Sequence, residues 1–244
     1  MTFGREALIH LSDTYAECER CEILCNSRTQ VVFGAGAAKA SIMIIGTSPN
    51  SRGDAEGDPW EGESGELMLS MLAQAWPRTE MMARIAAIRN NEEYFAELRN
   101  YFAGHIFWDN AVMCYPPDDR PPSGTEVKEC RSRLQKVIYG VDPVLIIAAG
   151  TTALTALVGK KMGVQNTRGN LVNVEIPSAA TGNTVRYSVI PVYHPRYLIA
   201  RGDQALVKRK KGDTYNTIED LKWCIELVEA QFASQGRSFP EEEL

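Results

Sequence analysis

Nothing in this chain of 244 residues stays apolar long enough to cross a bilayer, which takes about 20 consecutive residues. The first ten residues also lack the basic and apolar regions of a secretory leader. A cytoplasmic protein with no membrane partner is expected. Two phosphate cradles are missing as well: no GxGxxG opens a helix after a strand, and no Gly-Lys-Ser/Thr follows a glycine-rich loop. Histidine is scarce, with three in the chain, so each needs placing. An excess of positive charge is absent too. The net charge is −5, which argues against a uniformly cationic nucleic-acid binder but leaves local patches open. What remains has the composition of an ordinary globule, 44% hydrophobic and 23% charged. One α/β domain over residues 1–238 is expected, followed by an acidic tail at 239–244.

The stretch 42–69, IMIIGTSPNSRGDAEGDPWEGESGELML, carries most of the information. It reads as a buried strand at 41–45 that breaks at Gly46, a polar loop of about sixteen residues, and a helix entered near Gly65. A strand that ends on glycine and feeds a loop and helix places that loop at the carboxyl end of a sheet, where open α/β proteins bind ligands. The loop offers Thr47, Ser48 and Asn50 around Pro49, then Gly53 and Asp54, then Trp60 framed by glycines. A flat aromatic among hydrogen-bonding groups suits a flat, polar-edged guest such as a nucleobase.

Three more buried strands are predicted at 105–113, 143–149 and 188–193, with a hairpin-like stretch at 171–187. Residues 78–104 form a charged amphipathic stretch with Met81, Ile85, Ile88, Phe95 and Leu98 at helical spacing, either a hairpin packed on the sheet or a lid. The second strand carries Asn110, whose amide both donates and accepts, as reading a pyrimidine edge requires. His194 follows the fourth strand and should share the sheet edge of the Gly46 loop, where it can stabilise charge on a leaving group. His10 and His105 read as structural. Arg196 and Arg201, upstream of the run Lys208, Arg209, Lys210 and Lys211, form a candidate nucleic-acid contact, with Tyr197 or Leu198 as a wedge between bases.

Six cysteines without an export signal point to metal ligation or core thiols rather than disulfides. Cys18 and Cys21 make a CxxC in a segment that reads as helical from Arg5. Cys114 ends the second strand, and Cys130 lies on a helix opened by Ser123 with Glu126 at the capping-box position. Four thiolates suit zinc or an iron–sulfur cluster, and spacing does not separate the two. Cys25 could replace one ligand, and Cys224 reads as core.

Taken together, Cys18-x-x-Cys21 with Arg28 and VVFGAG, IMIIG-x-x-P, GDPWEGESG from Gly57, Asn110-x-x-x-Cys114-x-Pro-Pro, Cys130 and His194-Pro-x-Tyr-Leu resemble the family 4 uracil-DNA glycosylases. The resemblance spans roughly residues 15–230. It implies a three-layer α/β sandwich with a four-stranded parallel sheet between helices. It also implies a [4Fe-4S] cluster on Cys18, Cys21, Cys114 and Cys130, and a monomer acting on single- or double-stranded DNA. A flipped-out base would stack on Trp60, Asn110 would read its edge, and His194 would stabilise it as it departs. With no lysine nucleophile evident near the site, base release without lyase chemistry is expected.

Three departures from the family pattern shape the substrate expectation. The family's glutamate after the first glycine of the strand-end motif is Thr47 here, with Asp54, or less plausibly Asp109, as a substitute for positioning water. A family acidic side chain that crowds C5 of the bound pyrimidine corresponds to Gly53, which predicts room for a C5-bulky modified pyrimidine of phage DNA, such as glycosylated hydroxymethylcytosine, removed in antiviral defence. The segment after Trp76 is about twenty residues longer than usual. The alternatives are uracil excision in repair and an inactive iron–sulfur DNA-binding protein.

Overall fold

The computed structural model describes residues 4–177 and 183–240, apart from the side chains of 205, 206 and 209. Six strands are described: β1 (Ala35–Gly36), β2 (Ile42–Gly46), β3 (Ile106–Asn110), β4 (Leu145–Ala149), β5 (Val172–Pro177) and β6 (Thr184–Val192). They form one sheet in the order β1-β3-β2-β4-β6-β5. The central four are mutually parallel, and the edge strands β1 and β5 are antiparallel to their neighbours. The four parallel strands are those the sequence predicts. Every residue of β2, β3 and β4 is buried, as expected of strands covered on both faces, which read as apolar runs rather than alternating ones. The sheet has six strands rather than four because of its margins. β1 has only two residues, too few to show a period, and β5 is the partner strand of the 171–187 hairpin.

Ten helices are described: α1 (Arg5–Tyr15), α2 (Glu22–Ser27), α3 (Ser51–Glu56), α4 (Glu63–Ala75), α5 (Glu80–Ala86), α6 (Asn91–His105), α7 (Gly124–Val141), α8 (Thr151–Val158), α9 (Pro195–Arg201) and α10 (Gly212–Ser234). Alternate residues of β2 feed two cores. Met43 and Ile45 pack with Leu8, Leu134, Ile138 and Leu154 from α1, α7 and α8. Ile42 and Ile44 pack with Met68, Leu72, Leu98, Phe102 and Leu221 from α4, α6 and α10. Three layers result.

The 78–104 stretch is a helical hairpin, α5 and α6, packed against α4, β1 and β3. Its inward methionine is Met82, whereas Met81 is 45% exposed. Cys18 and Cys21 do not share a helix as expected: α1 stops at Tyr15, and Cys21 is the residue before α2. The sixteen-residue loop after Gly46 also contains a turn of helix, α3, because the Asn50 side chain accepts from the Gly53 amide and caps it, while Gly57 ends it in the left-handed region. Phe239 belongs to the domain, since its ring meets Trp76 and Phe232 at 5.4 and 5.3 Å. Residues 241–244, the rest of the expected tail, lie outside the described residues.

One ion pair joins the layers. Arg133 of α7, wholly buried, pairs with the buried Asp109 carboxylate of β3 and donates to the Asn110 carbonyl at 2.6 Å. Removing one partner of a buried pair strands the other charge. Arg133→Ala is expected to cost roughly 3–5 kcal/mol in urea denaturation. A loss below about 1 kcal/mol, the scale of an exposed pair, would show that the pair is not structural.

Candidate active site and cysteine pocket

The parallel register sets Gly46 directly opposite Asn110. Pairing continues past the strand ends, with the Ala111 and Val112 amides donating to the carbonyls of Gly46 and Thr47 at 3.0 and 3.1 Å. A Cβ at position 46 would stand 2.4 Å from Asn110 Oδ1 and 2.8 Å from the Trp60 ring. Glycine is thus required there, because the amide and the indole both crowd the end of β2. Asn110 is buried, and its Nδ2 donates to the Pro59 carbonyl at 2.6 Å, which orients the amide. The Trp60 indole N–H donates to the Asp109 carbonyl at 3.1 Å, and its ring meets Trp108 edge-on at 5.5 Å.

His194 arrives from the end of β6 as the residue before α9. Its ring stacks on Trp60, centroids 5.7 Å apart and planes 17° from parallel. The His194 Nδ1 accepts from the Arg196 backbone N–H at 3.1 Å. A neutral imidazole whose Nδ1 accepts carries its proton on Nε2. The residue keeps some accessible surface, yet burial of the ring, with the Arg196 charge nearby, pulls its pKa from 6.5 down to about 4. Trp60, Asn110 and His194 are therefore brought together as a flat surface, an amide and a neutral N–H donor. Thr47 and Ser48 lie half-buried at the same strand end, and among the described residues no protein group bonds their hydroxyls.

Four residues expected at this site, Asn50, Gly53 and Asp54 of the loop and Asp109 of β3, are committed elsewhere. The Asn50 Oδ1 caps α3 and its Nδ2 donates to the Glu61 carbonyl at 2.8 Å, so it ties the loop together instead of reading a base. The Asp54 carboxylate is buried and accepts from the Thr29 amide at 2.6 Å, anchoring α3 to the 29–30 segment. Asp109 is occupied by Arg133 and by the Asn110 amide. Gly53 opens no vacancy: it is buried, and a Cβ there would stand 2.5 Å from the Asp58 carbonyl. It permits close packing of α3 on the next loop.

Beside His194, the basic segment divides. Leu198 is completely buried and cannot serve as a wedge. Tyr197 is 42% exposed, stacks on Tyr193 at 4.9 Å and donates its hydroxyl to Asp213 at 3.1 Å. Arg201 lies 3.7 Å from Asp213, and Arg196 donates to the Asp119 carbonyl. Lys208, Lys210 and Lys211 are exposed, while the Arg209 side chain lies outside the described residues.

On the α7 side, Cys18, Cys21, Cys114 and Cys130 line one small cavity with Tyr15, Arg28 and Arg133. Cys25 is not part of its wall; its thiol points to the Cys18 carbonyl at 3.5 Å. Cys224 is buried in the core on the other face. Burial first, then the neighbouring thiols, push Cys21 up to about 12, and burial pushes Cys114 up to about 11 against the Arg28 guanidinium, which donates to its sulfur at 3.1 Å. Such thiols become thiolates only if a bound cation supplies the missing charge. Among the described residues no group of three or more His, Cys, Asp or Glu side chains is arranged to hold a metal ion.

Arg133 escapes sequence inspection, although it follows Cys130 by one helical turn, a spacing that puts both on one face. Arg28 and Gly46 are named by the motifs, but the contacts through which they act are ones that only the fold creates.

Residues 33–222 match the model of the uracil DNA glycosylase superfamily. The chain is 31% identical over 81% of its length to a type-4 uracil-DNA glycosylase of Thermotoga maritima, covering 86% of that protein. It is 28% identical to a type-4 uracil-DNA glycosylase of Saccharolobus solfataricus, over 76% of this chain and 74% of the relative. With one from Archaeoglobus fulgidus it shares 26% identity, over 80% of this chain and 85% of the relative. The chain accordingly belongs to the uracil DNA glycosylase superfamily, in its type-4 branch.

Proposed function

We propose that the protein hydrolyses the N-glycosidic bond of uracil in DNA and leaves an abasic sugar. The observation that carries this reading is the neutral His194, whose ring stacks on Trp60 and whose Nδ1 is taken by the Arg196 amide, leaving the proton on Nε2. Uracil turned out of the stack would lie against Trp60 with its edge on the Asn110 amide. As the bond breaks, its electron pair passes to the base, and the sugar acquires positive charge. The Nε2–H donates to the developing oxyanion, a preorganised contact that needs no rearrangement during the step. Water adds to the sugar carbon and its proton leaves to solvent, while the base anion later takes a proton from solvent. Asp54 and Asp109 are both committed to structural bonds. The reaction therefore leans on leaving-group stabilisation, with the Thr47 hydroxyl the polar group at the strand end available to a water.

The Cys18, Cys21, Cys114 and Cys130 thiols would hold a [4Fe-4S] cluster, whose contribution is a structural link between the amino-terminal segment, the turn after β3 and α7. The partner is DNA, held by Lys208, Lys210 and Lys211 with Arg196 and Arg201, and with Tyr197 as the exposed aromatic at its edge. A C5-bulky phage pyrimidine, with its role in antiviral defence, has no geometric support, because the Gly53 position faces a backbone carbonyl and not a pocket. Uracil arising in ordinary DNA is the substrate this site favours.

The test is incubation with uracil-containing duplex and, separately, with hypermodified phage DNA, followed by mass detection of the free base. Uracil release alone is expected, and His194→Ala should lower its rate by roughly 10²–10³-fold, the cost of one such donor. Release of the modified base instead would overturn the assignment. The folded pKa of His194 is near 4 against 6.5 in the unfolded chain, so acidification between these values protonates the unfolded state first and lowers stability. The release rate should show no His194 titration between about pH 5 and 8 and should fall toward about pH 4. A break at about pH 6.5 in initial rates would mean that the ring titrates freely. In the purified protein about four irons per chain are expected. Cys114→Ser should lose them and Cys25→Ser should keep them; stoichiometric zinc would contradict the cluster.

A further inference from the structure

We propose that Arg99, on the inserted helix α6, is a positioning residue that holds Trp60 in place for the base. Its guanidinium reaches the residues on both sides of the ring-bearing segment: Nη1 lies 3.1 Å from Asp58 Oδ2, and Nη2 lies 3.4 Å from Glu61 Oε2. The other Asp58 oxygen accepts the Trp60 backbone N–H at 2.7 Å, and the other Glu61 oxygen pairs with Arg52 at 2.8 Å. One cation thus closes a chain of contacts that runs Arg99, Asp58, Trp60 amide on one side and Arg99, Glu61, Arg52 on the other.

The ring needs this restraint because the space on its α6 side is not filled. A cavity of about 270 Å³ lies between Trp60, Trp108, Leu69, the β1 backbone, and Arg99 and Ala103 of α6. The ring meets Trp108 and His194 and is bonded through its N–H to Asp109, but on the cavity side what fixes its backbone supplies the remaining restraint. An isolated, partly exposed ion pair contributes little. Here the guanidinium serves two carboxylates at once, and Glu61 is only 11% exposed, so the contacts act as a network. The clamp gives the 78–104 stretch a role: through α6, an electrostatic restraint on the stacking surface adds to the ring's packing on Trp108 and His194.

The proposal rests on the reading of Trp60 as the surface a base stacks on, and its test has one arm independent of that reading. In Arg99→Ala, amide exchange over residues 58–65 should accelerate about tenfold while exchange in β2 and β4 stays unchanged. Asp58→Asn, which keeps the acceptor for the Trp60 amide but removes the charge, should give a smaller acceleration, and Arg99→Lys should restore part of the protection. With uracil-containing DNA, Arg99→Ala should raise KM about tenfold and change kcat by less than about threefold, a split that general destabilisation would not produce. Unchanged exchange at 58–65 would overturn the clamp. Faster exchange with an unaltered KM would overturn its role in base binding. Faster exchange in a protein whose wild type releases no uracil would support the clamp and refute the uracil reading instead.

Discussion

The parallel pairing of β2 with β3 is the constraint on which this site depends. It sets Gly46 opposite Asn110 and leaves no room for a side chain at position 46, so the Asn110 amide and the Trp60 ring converge on the bare end of β2. Slipping the register by one residue would set Asp109 or Ala111 opposite Gly46 and turn Asn110 to the other face. The same pairing buries Asp109, which obliges α7 to supply Arg133. Because α7 also carries Cys130, one helix both lines the cysteine pocket and, through Arg133, braces Asp109 and the Asn110 carbonyl.

His194 illustrates how much chemistry a helix start can fix. Its Nδ1 is consumed in accepting the Arg196 amide, which leaves Nε2–H as the outward face, and burial keeps the ring neutral. A neutral imidazole held this way is a hydrogen-bond donor rather than a proton source, which is the role proposed for it toward the departing base. The protein spends its two nearest buried carboxylates on structure. Asp54 binds the 29–30 segment and Asp109 binds Arg133, so neither carboxylate is free to position a water.

The apolar runs made the four parallel strands legible, and strand-end position made it legible that Asn110 and His194 share one sheet edge, because carboxyl ends of parallel strands lie there together. The cysteine set was legible from spacing and resemblance together. Gly53, Asp54 and Asn50 were misread for one reason. A loop residue's role depends on which backbone its side chain meets, and the short helix α3 turned all three toward neighbouring loop atoms. Leu198 was misread through its neighbours: in α9 it faces α4 and the core, while Tyr197 faces out. Of the two edge strands, β1 was missed because it is too short to carry a pattern, while β5 lies in the stretch expected to be hairpin-like.

The central claim is that a base is held by Trp60 and Asn110 with its oxygen on His194 Nε2. A crystal structure with DNA carrying a non-hydrolysable fluorinated deoxyuridine measures this directly. The account predicts the flipped base parallel to the Trp60 ring, its edge on the Asn110 amide, and its O2 within about 2.7–3.2 Å of His194 Nε2. A base seated instead in the cavity on the α6 side of Trp60, out of reach of His194, would contradict it.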